Sequence, residues 1–220
     1  MSISENIKSL KQSLPKNVTL VAVSKFHPVE DLMEAYGAGQ RIFGESRAQE
    51  LVKKRLALPE DIEWHFIGQL QSNKIKDIAP FIHTIHSIDS LKLIQEVEKQ
   101  AAKHNRIIRI LLEIHVAEEE TKAGFAPAEC RELLTSFTPA DFPHVQIAGL
   151  MTMATNTDDT EQIRKEFRLL KSLFDEFKSS YFPNPEFSIL SMGMSSDYEI
   201  AISEGSNMVR IGSHIFGVRE

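Results

Sequence analysis

The chain has 220 residues, enough for one large domain or two small ones. At that length folding buries roughly 70% of the extended surface, so the core needs neither disulfide nor metal. Its 42% hydrophobic and 25% charged residues are those of a soluble globular protein, and a net charge of −6 argues against nucleic acid as the main partner. The single cysteine, Cys130, excludes an intrachain disulfide. The first residues lack the apolar stretch of a signal peptide, and no window approaches the roughly 18 apolar residues of a membrane span. The cytoplasm is the expected location.

In chain order, Ile3, Ile7, Leu10 and Leu14 recur at helical spacing and predict an N-terminal helix. Eight apolar runs follow, each predicted as a strand: residues 18–25, 41–45, 62–68, 82–89, 109–116, 145–154, 187–193 and 208–216. Most are almost continuously apolar, as in VTLVAVS and IRILLEIHV, which suits parallel strands buried on both faces. Helices are predicted between them. Residues 29–38 start behind Pro28 and end near Gly37 and Gly39. Residues 89–104 open on a capping Asp89. Residues 158–181 carry a stripe of Ile163, Phe167, Leu170, Phe174 and Phe177 for packing against the sheet. Pro183, Asn184 and Pro185 mark a loop. Eight strands alternating with helices predict a (β/α)8 TIM-like barrel, a single domain over 1–220 with an extra N-terminal helix. Alternation alone leaves an open doubly wound sheet as the other arrangement. No closing helix is expected after strand eight, and the N-terminal helix is expected in its place.

Lys25 ends the first apolar run, so in a barrel its amine stands on the face where sites are built. Desolvation there favours the neutral amine, which can attack an aldehyde and form an imine. The alternative is a strand-terminal lysine reaching into solvent. After strand seven the chain runs Ser191-Met192-Gly193-Met194-Ser195-Ser196-Asp197, with a helix expected to open at Ser195 or Ser196. Ser196 and Glu199 fit a capping box, and the same geometry suits a phosphate. Gly212, at the end of strand eight, lets backbone approach an anion, and Arg210 inside an apolar run needs a polar partner. Lysine on strand one and a phosphate cradle after strands seven and eight adjoin in a closed barrel. Together they describe a site for an aldehyde carrying a phosphate, of which pyridoxal 5′-phosphate (PLP) is the commonest cofactor.

The runs AVSK (22–25), FGESRAQE (43–50), WHFIGQLQSNK (64–74) and TKAGF (121–125) follow one another along the chain. GLMTMA (149–154), LSMGMSSD (190–197) and VRIGSHIFG (209–217) complete the set. Together they resemble the pyridoxal phosphate homeostasis protein family, single-domain relatives of the alanine racemase N-terminal barrel. The resemblance implies that Lys25 is a Schiff-base lysine and that Ser195 and Ser196 form a phosphate-binding turn. It implies that Arg210 faces the pyridine nitrogen, with Gly212 and Ser213 giving backbone donors to the phosphate. Ser46 and His115 depart from the family pattern, which has asparagine at the first and asparagine or glutamine at the second. A monomer is implied, with PLP-dependent apoenzymes as candidate recipients of the cofactor.

Other residues carry weaker signals. His83 and His86, three apart on a predicted strand, fall on opposite faces, and no metal site is expected. His65 lines the barrel mouth or is a satisfied core histidine. Gly37 and Gly39 follow a helix and lack the third glycine of a dinucleotide loop, so they read as a helix cap. Cys130 reads as packing. Related racemases take a second base, a tyrosine, from a C-terminal domain of a partner subunit. This chain is expected to lack such a domain, ending at Glu220 soon after the phosphate site. Arg210 cannot protonate the pyridine, which weakens the ring as an electron sink. The expectation is a carrier that stores, buffers or delivers PLP, without turnover and with no catalytic residue. An amino-acid racemase and a Schiff-base aldolase acting on a phosphosugar are the alternatives.

Overall fold

A computed structural model describes residues 2–118 and 123–217. Helix α1 (Ile3–Ser13) comes first, followed by β1 (Thr19–Val23), α2 (Val29–Gly37), β2 (Ile42–Glu45), α3 (Ala48–Ala57), β3 (Glu63–Phe66) and α4 (Ser72–Ile78). The alternation continues through β4 (Thr84–Ile88), α5 (Leu91–Lys103), β5 (Ile108–Glu113), α6 (Pro127–Ser136) and β6 (Val145–Met151). It ends with α7 (Thr160–Ser180), β7 (Ile189–Ser191), α8 (Tyr198–Ser203), β8 (Met208–Ile211) and α9 (Ser213–Phe216). All neighbouring strands pair in parallel, and β8 closes on β1 with Thr19 opposite Met208 and Ala22 opposite Ile211. The sheet is a closed barrel, which rules out the open alternative. Every residue of β4 and β8 is buried, as full coverage by helices outside and side chains inside demands.

The helices answer to their sequence. The stripe of α7 (Ile163, Phe167, Leu170, Phe174 and Phe177) is buried along its length. Each such side chain contributes about 1.5–3 kcal/mol on leaving water. The Asp159 carboxylate caps α7 by accepting from Glu161 N and Gln162 N. Gly39, at φ +87°, donates its N–H to Tyr36 O just past α2, a helix-ending turn. No helix of the described residues is long and apolar enough to cross a membrane.

Three local expectations differ. α5 is capped by Ser90, whose hydroxyl accepts from Leu93 N, and not by Asp89, which lies one residue too early. Strand eight stops at Ile211, and Ser213–Phe216 turn into α9, so a short helix does follow it. The amphipathic α1 docks on that helix, with Asn6 Nδ2 donating to Ile215 O at 2.9 Å. The first strand also ends early, at Val23, which leaves Lys25 in the turn beyond it. Of the TKAGF motif, Thr121 and Lys122 lie outside the described residues, as does Glu220.

Candidate cofactor site

A cavity of about 790 Å³ opens at the C-terminal end of the barrel, a size usual for small-molecule sites. Lys25, Ser195, Ser196, Arg210, Gly212 and Ser213 all line it, although strand one and strand eight are separated by most of the chain.

Lys25 is half-buried in a turn whose flanks are pinned by α3. Ser24 Oγ donates to Glu45 Oε1 at 2.6 Å. Lys54 Nζ donates to the same oxygen, to Ser24 O and to Glu50 Oε1, each at 2.7 Å. Glu50 Oε1 also accepts from Phe26 N at 2.5 Å. Phe26 sits at φ +67°, a left-handed conformation that costs a bulky residue of order 1 kcal/mol. The Glu50 bond and the Arg47 guanidinium, 4.7 Å from the Phe26 ring centre, hold it there. Both neighbours of Lys25 are therefore fixed by groups in and just before α3. Burial pushes the Glu45 carboxyl above the usual range, against the pull of Lys54 and Ser24. The FGESRAQE motif marks this segment in the sequence, but its pattern assigns no role to Glu45, Glu50 or Lys54. The i,i+4 spacing of Glu50 and Lys54 was the one available signal.

At the opposite side of the cavity Gly193 turns the chain at φ +98°, and a Cβ there would lie 2.6 Å from Ala201 Cβ. Its carbonyl accepts from Arg210 N at 3.0 Å, tying the turn to β8. Met194 N donates to Asp197 Oδ1, and α8 begins only at Tyr198. Ser195 and Ser196 thus lie in the turn before the helix, and the expected Ser196–Glu199 capping box is not formed. The correction follows from Asp197 occupying the cap position. Gly212 N donates to Ser195 Oγ at 3.2 Å, which joins the two segments. A Cβ on Gly212 would meet Val23 O at 3.1 Å. The glycine lets the start of α9 close on β1.

Arg210 is 4% exposed and has the polar partners its position demanded. One terminal nitrogen donates to Ser191 O at 2.9 Å and Ser191 Oγ at 2.7 Å, and the other to Thr152 O at 2.8 Å. Burial lowers its pKa to about 10, with Glu113 and Asp197 opposing, so the guanidinium stays charged at neutral pH. Glu113 also lines the cavity, and burial pushes its carboxyl up to about 7 against the attraction of Arg210. The Ser87 hydroxyl lines the cavity too; it is buried and has no partner among the described residues. Neither Glu113 nor Ser87 was singled out from sequence, since an apolar strand gives no sign of which residue ends at a cavity.

Glu113 makes stability depend on pH. Its folded pKa of about 7 lies above the ordinary 4.5, so between those values the folded chain holds a proton that the unfolded chain releases. Stability from this group is therefore present at low pH and is lost as pH rises through about 7, by an amount on the order of 3 kcal/mol. Chemical denaturation of the cofactor-free protein across this range should show that decline, and Glu113→Gln should flatten it. An equal slope in the variant would place the dependence elsewhere.

The family model for the alanine racemase N-terminal domain matches residues 1–220. A pyridoxal phosphate homeostasis protein of Aquifex aeolicus (strain VF5) is 43% identical over 202 residues, 91% of this chain and 87% of its own. The chain belongs to the pyridoxal phosphate homeostasis protein family. A relative of the same name from Schizosaccharomyces pombe is 41% identical, with 93% of this chain and 85% of its own covered. Among solved structures, PipY of Synechococcus elongatus PCC7942 without PLP superposes at a TM-score of 0.92, with 36% identity. That match covers 98% of this chain and all of PipY, and the form with PLP bound gives 0.90.

Within the pyridoxal phosphate homeostasis protein family, the two positions expected to depart from the pattern fall differently. Ser46 lines the cavity, whereas His115 is not among its lining residues, and His115 Nε2 lies 2.8 Å from Ala117 O. None of Tyr36, Tyr181 and Tyr198 lines it. Cys130 is buried, with its thiol pushed up to about 12 by desolvation, as a packing residue. His65 is buried and does not reach the mouth.

Proposed function

We propose that this chain binds pyridoxal 5′-phosphate in the C-terminal cavity and stores, buffers or hands on the cofactor, with PLP-dependent apoenzymes as recipients. The observation that carries the reading is one cavity lined by an amine from the β1 turn and by the serine turn and glycine–serine segment after β7 and β8. The relatives' shared name and the PLP-bound PipY structure support it. Lys25 would hold the cofactor through its Nζ, as a Schiff base with the aldehyde. The hydroxyls of Ser195 and Ser196 and the backbone N–H groups of Gly212 and Ser213 hold the phosphate. Ser87 offers an unspent hydroxyl. Bound PLP supplies an aldehyde and a conjugated ring that draws electrons from a bonded carbon.

Arg210 sets the limit on that chemistry. It is a donor held in place by Ser191 and Thr152, and facing the pyridine nitrogen it would leave that nitrogen an acceptor and the ring a weak electron sink. Racemisation also needs an acid/base group on each face of Cα. None of the three tyrosines lines the cavity, and besides Lys25 and Arg210 the acid/base groups among its described lining residues are Glu113 and His214.

The test is an absorbance spectrum of the freshly purified protein before and after borohydride, with peptide mapping. The expected result is an imine band that borohydride removes and a pyridoxyl group on Lys25. A colourless protein that cannot be reconstituted with PLP would favour the phosphosugar aldolase. Incubation with L-alanine in D2O should give little D-alanine, and turnover of about 1 s⁻¹ or faster would make the protein a racemase. Ser196→Ala should weaken cofactor retention about tenfold, the loss of one charge-assisted hydrogen bond. Unchanged affinity would remove Ser196 from the phosphate site.

A further inference from the structure

The N-terminal end of the barrel, remote from the cofactor cavity, carries a second group of polar side chains. Glu63 and His65 share one face of β3, and His83 stands one residue before β4. One ligand atom from each of the three lies within 4.8 Å of the others. His83 Nε2 is 3.5 Å from Glu63 Oε2, and the rings of His65 and His83 are parallel with centres 5.5 Å apart. His83 is near His86 in sequence, but its ring neighbour is His65 on β3. His65 is 1% exposed, and its Nε2 has no hydrogen-bond partner among the described residues. Buried polar atoms are rarely left so, and an orphaned ring nitrogen beside a second imidazole and a carboxylate asks for a ligand.

The other nitrogen of each ring is already engaged. His65 Nδ1 is 2.9 Å from His86 Nε2, and His86 Nδ1 is 3.1 Å from Ser191 Oγ. His83 Nδ1 is 3.0 Å from Thr84 Oγ1. Metal-bound imidazoles characteristically give their second N–H to such an outer partner, which fixes the tautomer and leaves the remaining lone pair for the ion. With His65 donating from Nδ1 to His86, its Nε2 is that lone pair.

We propose that Glu63, His65 and His83 form a site for a divalent transition metal, Zn²⁺ above all, at the N-terminal end of the barrel. Two imidazoles and one carboxylate suit zinc, whereas Mg²⁺ and Ca²⁺ take oxygen ligands. Burial brings His65 down to about 3 and lowers His83 as well, so both rings are neutral at physiological pH and keep a lone pair. Zinc bonds of about 2.0–2.2 Å need donor atoms roughly 3.3–3.5 Å apart, the separation His83 and Glu63 already have. Glu63 is exposed and His83 half-buried, so an ion enters from solvent and a water fills the fourth position. Arg109 stands close enough to push both rings toward neutrality, and its charge opposes a cation. Its Nε is tied to Gln146 Oε1 at 3.0 Å, and the opposition makes micromolar affinity the expectation.

The full-length protein, dialysed against a chelator, is titrated with Co²⁺ and then Zn²⁺. The expected result is one Co²⁺ per chain, with the visible bands of a four-coordinate ion, displaced by one Zn²⁺. Glu63→Gln and His83→Gln, both at accessible positions, should each weaken binding at least about tenfold, while the exposed His104→Gln leaves it unchanged. Circular dichroism of the metal-free variants checks that the fold is kept. No stoichiometric binding at about 100 μM metal, or binding that Glu63→Gln and His83→Gln leave intact, would overturn the site. None of the three ligands lines the cofactor cavity, so the titration is read on cofactor-free protein and its failure is told apart from a failure to bind PLP.

Discussion

Lys25→Ala is expected to abolish covalent retention of the cofactor. Among the described residues lining the cavity Lys25 is the one lysine, which makes its amine the one expected to carry the bond. The contacts proposed for the phosphate and the ring survive the change, and the variant should still bind PLP, but reversibly and as the free aldehyde. Gel filtration or dialysis then strips the cofactor from the variant while the parent protein stays yellow. Borohydride should leave no pyridoxyl group on the variant. A variant that retains the imine absorbance would show that another amine forms the bond, and the assignment of Lys25 would fall.

The second large effect concerns stability. Lys54 is 5% exposed and its amine is shared among Glu45, Glu50 and the carbonyl of Ser24. Glu45 is fully buried, and its other oxygen, Oε2, has no partner among the described residues. Lys54→Met removes the amine and keeps most of the volume, which leaves a buried carboxyl that must carry an unpaired charge or take up a proton. Breaking such a pair costs about 3–5 kcal/mol, a fall in Tm on the order of 10 °C for a chain of this size. The double variant Glu45→Gln/Lys54→Met should recover much of the loss, because an amide is cheaper to bury than an unpaired carboxylate. Thermal denaturation of the three proteins measures both steps. A Lys54→Met protein as stable as the parent would mean that the pair contributes nothing to the folded state. The same variant loosens the turn on both sides of Lys25, so its cofactor affinity is expected to fall as well.

Periodicity along the chain determined the elements. A run such as VTLVAVS suits an inner strand buried on both faces, and the α7 stripe needs an apolar surface to pack against. Both are local consequences of side-chain spacing, so they were legible without neighbours. The motifs were legible too, and Lys25, Ser195, Ser196, Arg210, Gly212 and Ser213 were brought to a single cavity as their places at strand ends implied. Closure was decided by the tertiary structure, through the pairing of β8 with β1, because alternation is the same in open and closed sheets. So were the groups around each functional atom. Lys54 reaches Ser24 across 30 positions, and His86 meets Ser191 across 105. Glu113 acquires its raised pKa from burial near Asp89, and His65 finds His83 just before the adjoining strand. Such contacts join residues whose separation in the chain carries no period. The barrel's register sets them, and register arises only when all eight strands are in place.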